Sequence, residues 1–291
     1  MELSKTLLLG FIAGVTILIG MPVGRLQRPA ASLRVFLNAA AVGVLLFLVW
    51  DVFSAAWEPI DTALVATHEH TGGFGPVAGY GSLFAGGLAV GLLALVGYDR
   101  YLNAQARKAS TLGPGAMSVA ERPGRAPRGI ATWSPARRLA LLIAVGIGLH
   151  NFAEGLAIGQ SAARNDIGLA TMLVVGFALH NATEGFGIVA PLAADTELDG
   201  STRRPSWGFL LSMAAIGGGP TYLGTWVGHG FTSEAVSVIF LTLAAGSIIY
   251  VVAQLLGIAA RAKRPDLLSY GLLVGLLAGF ATDAIVTAAG V

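Results

Sequence analysis

RLALLIAVGIGLHNFAEGLAIGQ (residues 138–160) and IGLATMLVVGFALHNATEGFGIVAPLAA (residues 167–194) are two apolar stretches that carry the same interruption. The first contains His150-Asn-Phe-Ala-Glu154-Gly155 and the second His180-Asn-Ala-Thr-Glu184-Gly185, thirty positions later. On a helix, residues i and i+4 lie on one face about a turn apart, so each copy presents an imidazole above a carboxylate. Ionisable groups at bilayer depth are costly, and four in matched positions are poorly explained as packing. A structural ion-pair network has no need to repeat a six-residue pattern.

The rest of the chain reads the same way. Of 291 residues, 55% are hydrophobic, 12% are charged and 40 are glycine, whereas soluble domains carry about twice that charge. Spans of about twenty apolar residues suffice to cross a hydrocarbon core. Eight are marked: Thr6–Val23, Leu33–Ala56, Gly75–Tyr98, Arg138–Gln160, Ile167–Ala194, Trp207–Val227, Ser233–Ala260, and Leu267 to the C-terminus. Lipid leaves no partner for a free backbone amide, so the spans are helices, and the fold class is an all-α integral membrane protein with eight transmembrane helices. The first run is read as a helix and not a cleaved signal, because Glu2 stands beside Lys5 and no small-residue cleavage pattern follows.

Basic residues set the orientation. Arg25, Arg28, Arg34, Arg100, Arg107, Lys108, Arg122, Arg125, Arg128, Arg137, Arg138, Arg203, Arg204, Arg261, Lys263 and Arg264 fall in or beside the connections after spans one, three, five and seven; of the 18 Lys and Arg, only Lys5 and Arg164 lie elsewhere. Cytoplasmic connections collect Lys and Arg, which places both termini outside the cytoplasm and the protein as a multi-pass chain in the cell membrane. The net charge of +2 is therefore a topology signal, and no nucleic acid is expected as a partner. Residues 1–98 hold helices one to three, 99–137 form a flexible basic cytoplasmic loop rich in Gly, Pro, Ala and Arg, and 138–291 hold helices four to eight.

Antiparallel spans four and five, joined by the short Ser161–Asp166 connection, bring His150, Glu154, His180 and Glu184 to one depth. Zero cysteines leave nitrogen and oxygen as the donors. Two ionised glutamates balance one divalent cation while two neutral imidazoles add donors without charge, so metal and protons compete for the site. Asn151 and Asn181 sit about 100° round the helix from the histidines, where their amides either bind an ion weakly or hydrogen-bond between helices. Gly87 and Gly91 form a small-xxx-small face for close helix approach. Gly217-Gly218-Gly219-Pro220 is expected to kink or loosen the sixth helix near mid-membrane, as at transport sites.

The external connection between helices two and three carries Asp51, Glu58, Asp61, His68, Glu69 and His70 without a basic residue, an acidic mouth that concentrates cations. His68 and His70 either capture metal transiently or are simply solvated, Asp283 in the eighth span is a lone acid that either attracts cations at the entrance or makes a hydrogen-bonded helix contact, and His229 is read as interfacial.

The eight spans, the long connection after the third, and the His150-Asn151-x-x-Glu154-Gly155 motif repeated in the fifth make the chain resemble the ZIP family of zinc and iron transporters over nearly its whole length. The resemblance implies inward movement of Zn²⁺ or related cations through a site built by helices four and five, and a homodimer. Family members often carry proline before the motif glutamate, where this chain has Ala153 and Thr183, so straighter helices are expected. A Glu-Pro-Leu-Gly pattern is common in helix six; Gly219-Pro220-Thr221-Tyr222-Leu223-Gly224 lacks the acid, and one tightly held ion is expected. Gln254 stands where similar chains often have an exit-side glutamate.

The reading is a divalent-cation transporter with Zn²⁺ as substrate, Cd²⁺, Fe²⁺ and Mn²⁺ being compatible with the same donors, and with no organic cofactor. An intramembrane zinc hydrolase is the alternative from another class, but the chain has no His-Glu-x-x-His and no spare glutamate beside the site to act as base. A metal-binding receptor without flux fits the helices but leaves the acidic mouth unexplained.

Overall fold

The computed structural model describes residues 1–26, 31–110, 130, 133–164, 167–195, 204–230 and 233–288. Among them are eight α-helices and no strand: α1 Leu3–Val15, α2 Ala31–His68, α3 Phe74–Ser110, α4 Pro135–Ala163, α5 Ile167–Val189, α6 Trp207–His229, α7 Glu234–Arg261 and α8 Pro265–Ala288. Six segments are long and apolar enough to cross a membrane; α5 and α6, 23 residues each, match them in length. Most of the basic loop, residues 111–129 and 131–132, lies outside the described residues, as do Arg28, Arg122, Arg125, Arg128, Arg203 and the side chains of Arg107 and Lys108.

Local chemistry explains the helix ends. Ser134 caps α4 by accepting from the Arg137 amide at 3.3 Å, with Pro135 in the first helical position. Ser206 caps α6 through the Phe209 amide at 3.2 Å. Such caps satisfy amides that have no intrahelical partner. The first span is not one helix. After Val15 it tightens into two 3₁₀ turns, Thr16–Ile19 and Met21–Arg25, because Pro22 cannot donate and Gly20 is pressed against Gly185 of α5.

The glycines explain how the bundle closes. Oil offers no hydrophobic drive for helices to meet, so small residues that let backbones touch supply the association through van der Waals contact. A methyl group at Gly155 would overlap the Thr221 carbonyl, one at Gly159 that of Thr225, and one at Gly224 that of Phe152, so α4 and α6 are locked reciprocally. Gly91 against the Leu243 carbonyl and Gly246 against the Leu88 carbonyl do the same for α3 and α7, as the small-xxx-small face predicts.

Helix packing falls into two groups. α4, α5, α6 and α1 pack together, as do α2, α3, α7 and α8, and the groups meet mainly through α4 with α7 and α2 with α5. The ends alternate as the basic residues predict. The Met1 ammonium donates to the Ala162 carbonyl at 3.1 Å, joining the start of α1 to the end of α4. At the opposite face Arg25 donates to Pro205, Arg138 to Leu102, and Arg137 pairs with Asp195 at 2.9 Å.

Two expectations are corrected. The 217–220 run does not interrupt α6, which continues from Trp207 to His229 with Pro220 inside it; the carbonyls near the proline are used by neighbours, Gly148 resting on that of Ile216. The acidic connection is also shorter than expected. α2 runs unbroken to His68 through Pro59, so Asp51, Glu58 and Asp61 are helical, and only residues 69–73 connect α2 to α3.

Candidate metal centre

α4 and α5 each continue unbroken through their motif, with Ala153 and Thr183 where a proline would remove an amide. Thr183 Oγ1 donates back to the His180 carbonyl at 2.7 Å. All four motif side chains point to one place inside the first helix group: His150 is 1% exposed, Glu154 5%, His180 8% and Glu184 1%. Ligand atoms of His150, Glu154 and His180 lie within 4.8 Å of one another.

The glutamates are not equivalent. Glu154 Oε1 sits between both imidazoles, 2.8 Å from His150 Nε2 and in close contact with His180 Nε2. Glu184 Oε1 is 3.9 Å from His150 Nε2, and its other oxygen accepts from Asn151 Nδ2 at 3.1 Å. The same amide donates to the Gly217 carbonyl at 3.0 Å, so Asn151 ties α4 to α5 and α6 while holding a carboxylate. Asn181 Nδ2 donates to the Ala13 carbonyl at 3.0 Å, docking α1 on α5. Both asparagines thus make interhelical hydrogen bonds, each through its nitrogen.

The unpaired atoms show what would fit. His150 Nδ1, Glu154 Oε2, Glu184 Oε1, Asn151 Oδ1 and Asn181 Oδ1 are buried without a hydrogen-bond partner. Buried polar atoms are normally satisfied, and most of these offer only lone pairs. A cation satisfies several at once. Tetrahedral Zn²⁺ with ligands at about 2.0–2.2 Å needs donors about 3.4 Å apart, which small side-chain rotations reach from the observed separations.

The residues expected at the entrance separate. Asp51 lies inside α2 and is partly buried, as is Asp283 in α8, a helix packed along α2. Asp51 is thus a helical residue and not part of an exposed loop. The signal was available, since Asp51 falls within the apolar run Leu33–Ala56. His68 ends α2 and His70 follows at φ +59°, both exposed; the neighbouring Thr71 and Gly72 amides close the helix on the Ala66 carbonyl, so His70 occupies a terminating position. His229 closes α6, half-buried. Gln254 is partly buried on α7 and makes no hydrogen bond among the described residues. What sequence reasoning missed is backbone: the Gly217 and Ala13 carbonyls that anchor the asparagines.

Comparison with known proteins agrees with this geometry. The model of the family described as ZIP Zinc transporter matches residues 121–287. A protein named zinc transporter ZupT from Escherichia coli O7:K1 is 31% identical over 98% of this chain and 99% of its own length. Proteins of the same name from Salmonella paratyphi A and Salmonella arizonae are each 32% identical over 94% of both chains. With helices, motif and full-length similarity in agreement, this chain belongs to the ZIP family of zinc transporters, and is a transporter rather than an enzyme.

Proposed function

We propose that this protein carries Zn²⁺ into the cytoplasm across the cell membrane, with both termini outside, using His150, Glu154, His180 and Glu184 as the ligands that replace the ion's hydration shell. The observation that carries the reading is the convergence of two imidazoles and a carboxylate, all buried, within 4.8 Å. Asp51 and Asp283 draw cations towards the centre from the outer side, where opposing acids lower the energy of an approaching dication. Asn151 and Asn181 hold the site's helices together, and their free oxygens line its edge. Donor type suits Zn²⁺ and also accepts Cd²⁺, Fe²⁺ and Mn²⁺. Every proposed ligand stands in the α1/α4/α5/α6 group, whereas Asp51 and Asp283 stand in the other. Sliding of one group against the other therefore changes access to the ion without dismantling its shell. A homodimer is part of the reading: α3 and α8 have only 17% of their apolar windows buried, and Gly75, Gly79 and Gly86 face open space, the small-residue surface on which membrane helices associate.

The test is purified protein in liposomes loaded with a zinc-sensitive dye. Inward flux that is abolished in His150→Ala and Glu154→Ala is expected. Flux surviving both substitutions removes the site, and zinc binding without flux replaces the transporter by the receptor reading.

A further inference from the structure

A cavity of about 650 Å³ opens between the two helix groups at the basic face. Its walls are mostly apolar, Leu37, Leu139, Phe186 and Ile258 among them, but Arg34 and Arg261 also line it. Neither arginine has an acid within ion-pair distance among the described residues. Arg34 Nε is buried and has no acceptor. Asp195, the one carboxylate in the wall among the described residues, is 2% exposed and already bonded to Arg137 at 2.9 Å. The first turns of α2 and α4 line the same space, and so do the last turns of α5 and α7, so the positive and negative dipole ends offset one another there and the two arginines carry the charge. Two arginines therefore stand in a partly dehydrated, amphipathic space in which no free carboxylate among the described residues balances them. A buried guanidinium N–H without an acceptor is costly, and guanidinium matches phosphate oxygens in shape and charge.

We infer that this cavity binds a phosphate group, held by Arg34 and Arg261, as the headgroup of an anionic phospholipid or as a free phosphate. Basic pockets between transmembrane helices at the cytoplasmic side are the usual form of anionic-lipid sites. The apolar walls accept acyl carbon beside a charged headgroup, and the unpartnered Asn38 Oδ1 in the same cavity accepts from a glycerol or phosphate hydroxyl. Because the occupant would touch α2 and α7 of one group and α4 and α5 of the other, it would wedge the groups in the arrangement described above. The inference stands on the cavity and its arginines alone and does not need zinc movement.

The experiment is native mass spectrometry and thermal unfolding of the delipidated full chain in neutral detergent, titrated with phosphatidylglycerol, phosphatidylcholine or inorganic phosphate. Phosphatidylglycerol retained in preference to phosphatidylcholine, with a raised unfolding temperature, identifies a lipid site; stabilisation by inorganic phosphate without lipid retention identifies a free-phosphate site. In Arg34→Gln/Arg261→Gln the preference should fall roughly thirtyfold, the loss of two arginine–phosphate attractions. Arg34→Lys/Arg261→Lys should recover part of it, and Arg264→Gln, an exposed arginine on the same face paired with Asp266 at 3.0 Å, should leave it intact. No preference for either anion in the wild type, or an equal loss in Arg264→Gln, overturns the inference. So does a double glutamine variant that folds, by monodisperse elution, and binds like the wild type.

Discussion

Asn151→Leu isolates the contribution of the amide that holds Glu184. The side chain is fully buried, and its nitrogen bonds both Glu184 Oε2 at 3.1 Å and the Gly217 carbonyl at 3.0 Å. Leucine has a similar volume and no donor, so both acceptors stay in place without the hydrogen bond that Asn151 gave them. A hydrogen bond to a carboxylate contributes about 2 kcal/mol and one to a carbonyl about 1 kcal/mol, giving about 3 kcal/mol lost. Values in membrane bundles run to the lower side of this because the unfolded state also finds partners. The part that bears on the metal is the carboxylate's orientation, and losing such support weakens metal binding about 10–100-fold. Calorimetric Zn²⁺ titration of the purified protein should show that loss, with a matching rise in the half-saturating Zn²⁺ for flux. Asn181→Leu is the comparator, since its nitrogen reaches only the Ala13 carbonyl. It should lower stability by about 1 kcal/mol with little effect on affinity. Wild-type affinity in Asn151→Leu, or an equal loss in both variants, refutes the reasoning.

Gly224→Leu drives a side chain into the Phe152 carbonyl and should destabilise the α4–α6 contact by about 1–3 kcal/mol or prevent assembly, read as a lower unfolding temperature and aggregated elution. Arg137→Ala strands the buried Asp195 carboxylate and should cost about 3 kcal/mol, with Arg137→Ala/Asp195→Asn recovering much of it. Because the chain has no cysteine, Lys5→Cys, Arg164→Cys and Arg264→Cys report topology directly: a membrane-impermeant maleimide on intact cells should label the first two and spare the third, and the reverse pattern inverts the orientation.

The repeated His-Asn-x-x-Glu-Gly motif points to the candidate centre from sequence because helix periodicity alone puts His150 over Glu154 and His180 over Glu184, and the few residues between α4 and α5 make the two helices antiparallel neighbours. Alternating basic residues identify the helix ends for a similar reason, since their distribution reflects the membrane and not tertiary contacts. What sequence does not disclose is which acceptors each amide finds. The choice of Gly217 and Ala13 by Asn151 and Asn181 depends on the approach of α6 and α1, which the glycines permit but hydropathy does not describe. Pro220 reads as an interruption, yet α6 continues because α4 packs against the carbonyls beside it. Glu58 and Asp61 read as loop acids because a long helix and a short helix followed by a polar connection look alike in hydropathy, whereas Asp51 already falls within the marked second span. Only the continued course of α2 to His68 makes Glu58 and Asp61 helical.

The central claim is that the donors of α4 and α5 share one ion. Anomalous diffraction at the zinc edge, or zinc X-ray absorption on the purified protein, measures this directly. A single peak about 2.0–2.2 Å from His150 Nε2, His180 Nε2 and Glu154, with a nitrogen and oxygen shell that loses imidazole scattering in His150→Ala, is the predicted result. A zinc ion held elsewhere, with these four side chains bonded only to one another, contradicts it.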